Sequence, residues 1–136
     1  MGGVGSGRKK PNSESPATDP KPVVDNIKDI FKRRNAALYA LCLRWAAVAL
    51  NKFRKEQPAT PGAPGRFWTN QTGQAAARMM TEAIKYDDGA SIIMYHAVDY
   101  GIYLELANDR RYAAIMKTMI EIIQPFKNEV DKLYAD

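Results

Sequence analysis

The chain has 136 residues, 46% of them hydrophobic, with a formal net charge of +5. That is enough for one domain with a real core and too little for two. A single cysteine, Cys42, excludes an internal disulfide framework and fits a reducing compartment. The basic excess is concentrated: residues 27–57 carry Lys28, Lys32, Arg33, Arg34, Arg44, Lys52, Arg54 and Lys55 against only Asp29 and Glu56.

Residues 1–25 read as a flexible arm. They are rich in Gly, Ser and Pro, with too few large apolar groups to offset the entropy of ordering. Arg8-Lys9-Lys10 is followed by Pro, Asn and Ser rather than an apolar run, so no signal peptide is expected. The same three cations are candidates for docking on a partner.

A long first helix is predicted from about Ile27 to Glu56, with Asp25 or Asn26 as its N-cap. Ile27, Ile30, Phe31, Leu38, Leu41, Trp45, Val48 and Phe53 keep near-helical spacing. Its middle is apolar beyond one stripe, with Ala37, Tyr39, Ala40, Cys42, Leu43, Ala46, Ala47 and Ala49 around it. Such a helix is buried on more than one side. One side is the subunit's own core; the other is covered either by the same chain or by a neighbouring copy. From Asn35 to Asn51 the one charge is Arg44, but the run is shorter than the roughly 20 residues a spanning helix needs, so no membrane segment is expected.

Three prolines and two glycines in residues 57–66 make an exposed connector. Phe67 and Trp68 then lead into Asn70-Gln71-Thr72-Gly73, where Gly73 lets the chain turn sharply. Residues 83–98 read as a β-hairpin turning at Asp87-Asp88-Gly89, with positive φ at the glycine. Alternation places Ile92, Met94 and His96 on one face and Ile93, Tyr95 and Ala97 on the other. An aromatic segment around Gly101 follows. A last helix spans about Tyr112 to Tyr134, with Ile115, Met119, Ile122, Phe126, Val130 and Leu133 in one stripe and a kink or break expected near Gln124, before Pro125.

The residues that carry chemistry do not converge. His96 is the one histidine and lies mid-strand, where packing is its ordinary use. Asp87-Asp88 read as turn residues rather than paired carboxylates. Glu105 sits among aromatics without a recognisable partner. The glycines at 2–7 follow no strand and open no helix, so they are not a phosphate loop. No nucleophile stands beside a base, and no metal or cofactor is expected. A catalytic site at Glu105 and His96 is the weakest reading. The basic groups at the two ends of the first helix (Lys28, Lys32, Arg33 and Arg34; Lys52, Arg54 and Lys55) are candidate phosphate or acidic-partner contacts, set against plain solvation of a helix leaving its core.

The order of parts carries a resemblance. Trp68-Thr69-Asn70-Gln71-Thr72-Gly73 with Arg78, then a strand leading into Tyr100-Gly101-Ile102-Tyr103-Leu104-Glu105, resembles the neck and tail-completion proteins of long-tailed bacteriophages, the lambdoid gene-product-ten-like family. Residues 96–116 carry the strongest likeness, and the whole covers about residues 27–134. Many relatives place an apolar residue and Gly after the Glu, where this chain has Leu106-Ala107-Asn108.

The resemblance implies a non-enzymatic virion protein of the head–tail junction, made in the host cytoplasm. It would form a homo-oligomeric ring, six- or twelvefold and coaxial with the portal. Head-completion or adaptor proteins and tail-terminator or tail-tube proteins would flank it, with genomic DNA in the lumen. The expected architecture is α+β: two long helices packed on a small antiparallel sheet in one domain, 26–136, behind the arm 1–25. Trp45, Phe67, Trp68, Thr72, Gly73, Tyr100, Tyr103 and Glu105 are the candidate structural or interface residues. For Trp68 a plain core anchor stands equally open. The alternative function is a small basic DNA-binding protein such as a phage packaging factor.

Overall fold

The computed structural model describes residues 20–135, Asn108 by its backbone alone. Arg8, Lys9 and Lys10 lie outside the described residues. The elements in chain order are α1 (Lys21–Glu56), α2 (Gln74–Ala77), β1 (Met79–Tyr86), β2 (Gly89–His96), α3 (Gly101–Arg110) and α4 (Ala114–Leu133). The class is α+β, with one two-stranded antiparallel sheet. The chain divides into two units at Arg34 and Asn35. In the first, Val23, Val24, Ile27 and Phe31 of α1 are exposed.

Helix α1 starts at Lys21, so residues 21–25 of the expected arm are helical and neither Asp25 nor Asn26 is the N-cap. Two prolines set that start. Pro22 fits a first helical turn, where a backbone N–H has no intrahelical partner to lose. Val24 N–H already donates to Pro20 O at 3.0 Å.

The core forms where α1, α4 and the hairpin meet. Phe53, Phe67, Ala76, Met79, Met94 and Ala114 make one buried cluster. Phe53 and Phe67 stack with centroids 5.8 Å apart and planes 12° from parallel. Trp45, Ala49 and Ile122 make a second, with Leu41, Ile92, Met119 and Phe126 packed against it. The stripe read along the last helix is therefore the face that meets α1 and the sheet. Truncating a fully buried aromatic such as Phe53 costs about 3–5 kcal/mol. Helix α4 runs through Pro125 without the expected break. Ile122 and Phe126, on either side of the proline, both pack on the Trp45 cluster and hold the helix across its missing hydrogen bond.

The over-apolar middle of α1 divides in two. Cys42, Trp45, Ala46, Ala49 and Phe53 are buried, while Leu43 is 48% exposed and Ala36, Ala40 and Ala47 also face out. The chain's own core thus covers one side of this helix.

The hairpin is longer than expected. Its register runs from Met79↔His96 to Tyr86↔Gly89, with Asp87 and Asp88 as the two-residue turn. Gly89 is the first residue of β2, and no residue of the turn has positive φ, which corrects the expected glycine geometry. Asn35 Nδ2–H donates to Tyr86 O at 2.8 Å and pins the turn to α1. Thr81 Oγ1–H donates to Ala46 O at 2.8 Å. Met79, Thr81, Ala83, Ile92, Met94 and His96 share one face, as alternation predicts.

Two helices were missed. The segment around Gly101 is α3, and Gln74–Ala77 is a single turn. Aromatic and β-branched residues hide the helical period of 101–110, whose apolar side chains do not form one stripe.

Candidate functional site

The expected connector is neither loose nor wholly exposed. Its centre is Gln57, fully buried at the end of α1. Gln57 Oε1 accepts from Phe67 N–H at 3.0 Å and Trp68 N–H at 3.2 Å, and its Nε2–H donates to Trp68 O at 2.9 Å. One side chain thereby holds two consecutive residues of the returning chain. Asn70, also buried, accepts from Trp68 Nε1–H at 3.0 Å and donates to Pro58 O. Backbone bonds Gly62 N–H to Asn70 O and Asn70 N–H to Ala63 O close the loop. Arg66 clasps Glu121 of α4 with both guanidinium nitrogens, at 2.6 and 2.9 Å, and Glu56 at 2.9 Å. That Arg66 contact, with Lys52 beside it, holds the Glu121 carboxyl well down, to about 2.

Gly73 has φ +77°, and a Cβ there would stand 2.0 Å from Ala59 O. Both facts require glycine, as the turn predicted. Thr72 Oγ1 accepts from Gln74 N–H at 3.3 Å and opens α2.

Trp45 and Phe67 are core residues. Trp45 is 9% exposed and its Nε1–H donates to Glu129 Oε2 at 3.0 Å; Arg44 pairs with the same carboxylate. Trp68 is half-buried, stacks at an angle on Phe53 and Phe67, and is bonded by its backbone and its ring to its own chain. These contacts tie Trp68 to its own chain.

Tyr100 and Tyr103 are exposed. They line a hollow of about 590 Å³ with Trp68, Thr72, Gly73 and Tyr112. The Trp68–Gly73 stretch and the Tyr100–Tyr103 stretch, separate in sequence, thus meet at one surface.

Glu105 does local structural work. Its Oε1 accepts from Ile115 N–H at 2.7 Å, and its Oε2 faces Met116 N–H at 3.4 Å, so it caps the start of α4 from another helix. His96 Nε2 lies 3.1 Å from the same Oε1. Burial pushes the Glu105 carboxyl up, but the His96 contact and the two backbone N–H groups outweigh it and hold the group below the ordinary carboxylate range. The structure brings His96 and Glu105 together, which spacing did not foretell. Among the described residues no hydroxyl or thiol is bonded to either, and His96 Nδ1 has no hydrogen-bond partner. Gly101 makes the approach possible, since a Cβ on it would stand 2.1 Å from His96 Cβ.

The basic groups differ in use. Lys52 pairs with Glu121 at 3.3 Å and Glu56 at 3.7 Å, while Arg54 and Lys55 are exposed. In the first unit Lys28, Lys32 and Arg33 are exposed and Arg34 is half-buried.

The residues that sequence reasoning missed are the outward apolar ones. On α3, Ile102 and Leu106 stand one turn apart at 72% and 54% exposed. On α4, Met116, Ile120 and Ile123 form a second stripe, exposed beside the buried one. That second stripe was present in the sequence as apolar residues off the main period.

No described helix is long and apolar enough to cross a membrane, and among the described residues no group of three His, Cys, Asp or Glu is placed to hold a metal ion. The chain matches no family model, no curated protein and no solved structure.

Proposed function

We propose that this protein is a structural subunit of a tailed-phage neck, assembled with copies of itself into a six- or twelvefold ring coaxial with the portal. Its faces meet head-completion or adaptor proteins and tail-terminator or tail-tube proteins, and the genome passes through the lumen. The observation that carries the reading is the outward apolar surface of α3 and α4. Ile102, Tyr103, Leu106, Ile120 and Ile123 are each more than half exposed, which a lone soluble chain rarely tolerates on adjoining helices. The meeting of the Trp68–Gly73 and Tyr100–Tyr103 stretches at one hollow adds to it, because these are the residues of the phage resemblance.

Light scattering of the purified protein, alone and with phage head and tail components, is the test. A ring-sized mass, or capture by one of those components, is expected. A strict monomer that binds none of them overturns the reading.

The exposed pairs Arg54–Lys55 and Lys32–Arg33 favour a second reading, a DNA-binding packaging factor. Tight retention of the isolated protein on duplex DNA, falling steeply with salt, supports that instead.

A further inference from the structure

We infer that the outer edge of β2 is a strand-accepting groove, and that its occupant is the outer edge of β1 from a second copy of this chain. The inference rests on the ring reading and names the contact that builds the ring.

The phase of the hairpin ladder comes first. Ala97 N–H donates to Arg78 O at 2.9 Å. Bonded and non-bonded pairs alternate in an antiparallel ladder. Met80–Tyr95, Glu82–Ile93 and Ile84–Ser91 therefore bond across the hairpin. Ala90, Ile92, Met94 and His96 turn their backbone N–H and C=O groups to the outer side. Among the described residues none of the four makes a backbone hydrogen bond beyond the hairpin. His96 Nδ1, on a side chain only 5% exposed, is a further polar atom without a partner at this edge.

A groove of about 680 Å³ lies beside the last residues of β2, between that strand end, α3 and the start of α4. Met94, His96, Val98, Ile102, Leu106 and Ile115 make its walls mostly apolar, and Asp99 and Glu105 also line it. An extended segment fits such a groove through main-chain bonds on one side and apolar contacts on the other.

Charge and edge pattern select the occupant. Strand β2 has no charged residue, no proline and no bulge, the devices that keep an edge from pairing. The turn that opens it carries Asp87 and Asp88, and β1 carries Lys85 near its end. Within each hairpin Lys85 already faces Ala90 beside the two aspartates; repeating that register across copies brings a second Lys85 to the other side of the same turn, one lysine for each aspartate. The β1 edge has no other strand partner among the described residues. Pairing β2 to β1 is head-to-tail, which yields a ring where the rotation between copies closes.

Amide exchange on the assembled chain reads this directly. Ala90, Ile92 and Met94 should exchange at least about tenfold more slowly when assembled than when diluted to monomer. Assembly that leaves these amides unprotected overturns the strand contact while the ring reading stands. Failure to assemble at any concentration overturns both. A mixing experiment in a Cys42→Ala background fixes the partner: Lys85→Cys chains should form disulfides with Ala90→Cys chains. Cross-linking of Ala90→Cys chains with each other, and not with Lys85→Cys chains, signals a twofold β2–β2 pairing and overturns the choice of β1. Ala90→Pro removes one outward donor without touching the hairpin ladder. It should keep the circular-dichroism spectrum and lose the ring-sized mass, and Ala90→Val should keep both. Full assembly by a folded Ala90→Pro chain counts against the groove.

Discussion

The connector at residues 57–73 and helix α3 are both short passages between longer elements, and they treat their side chains in opposite ways. The connector is polar and Pro/Gly-rich, yet it turns inward: Gln57 and Asn70 are buried and bonded to its own backbone. Helix α3 opens with apolar residues, yet Ile102, Tyr103 and Leu106 face out. Polarity alone would assign them the other way round. A polar group is stable inside when every donor and acceptor finds a partner, and an apolar group remains outside where no core lies opposite. The connector is a finished structure. Helix α3 leaves its outer apolar side chains uncovered among the described residues.

Removing the lock tests the first half of that contrast most severely. Gln57→Leu leaves Phe67 N–H, Trp68 N–H and Trp68 O without their partner, at about 1–3 kcal/mol for each buried group. A loss of about 3 kcal/mol or more is expected in urea denaturation. Trp68→Ala removes a half-buried ring and its bond to Asn70, and should cost about 2–3 kcal/mol in the same assay. Loss of assembly with full stability would instead move Trp68 to the contact surface. Gly73→Ala combines a strained φ with a Cβ clash against Ala59 O, and about 2 kcal/mol of destabilisation is expected.

Glu105 stands between the two regions, and its effect is smaller and dependent on pH. Glu105→Gln should cost about 1 kcal/mol near neutrality, the value of a lost cap. The carboxyl is held below its ordinary range in the folded chain. Its contribution is therefore complete above the unfolded value and is lost as pH falls through the folded one. Thermal melts from neutral to acid pH should fall less steeply for Glu105→Gln than for the native chain. The smallest effect on stability, within about 0.5 kcal/mol, belongs to Ile102→Lys combined with Leu106→Lys, because both side chains already meet solvent. The same variant should stay monomeric in light scattering, which sharpens the contrast: nothing lost in the fold, everything lost in assembly.

Long periodic elements were legible in the sequence and short ones were not. The stripe Ile115 to Leu133, the alternation of β2 and the long first helix follow from spacing, because their apolar residues repeat often enough to define a face. Helix α3 offers ten residues and no single apolar side, so it read only as an aromatic segment around Gly101. The Gln57 lock had no signal: a glutamine at a helix end is ordinary, and its role comes from a chain that returns ten residues later. The Glu105 cap was invisible for a like reason, since the helix it serves begins beyond the next loop. Gly73 was legible because its conformation is a local property. For Trp45 and Phe67, residue type marked importance while burial decided its kind.

Cys42 offers a gauge within the molecule. Its thiol is 1% exposed on the inner side of α1, and burial pushes its pKa up. An alkylating reagent therefore meets a protonated, shielded sulfur until the helix lifts from its bed. Labelling speed, followed as protein concentration rises, would report whether the breathing of this helix slows when copies meet.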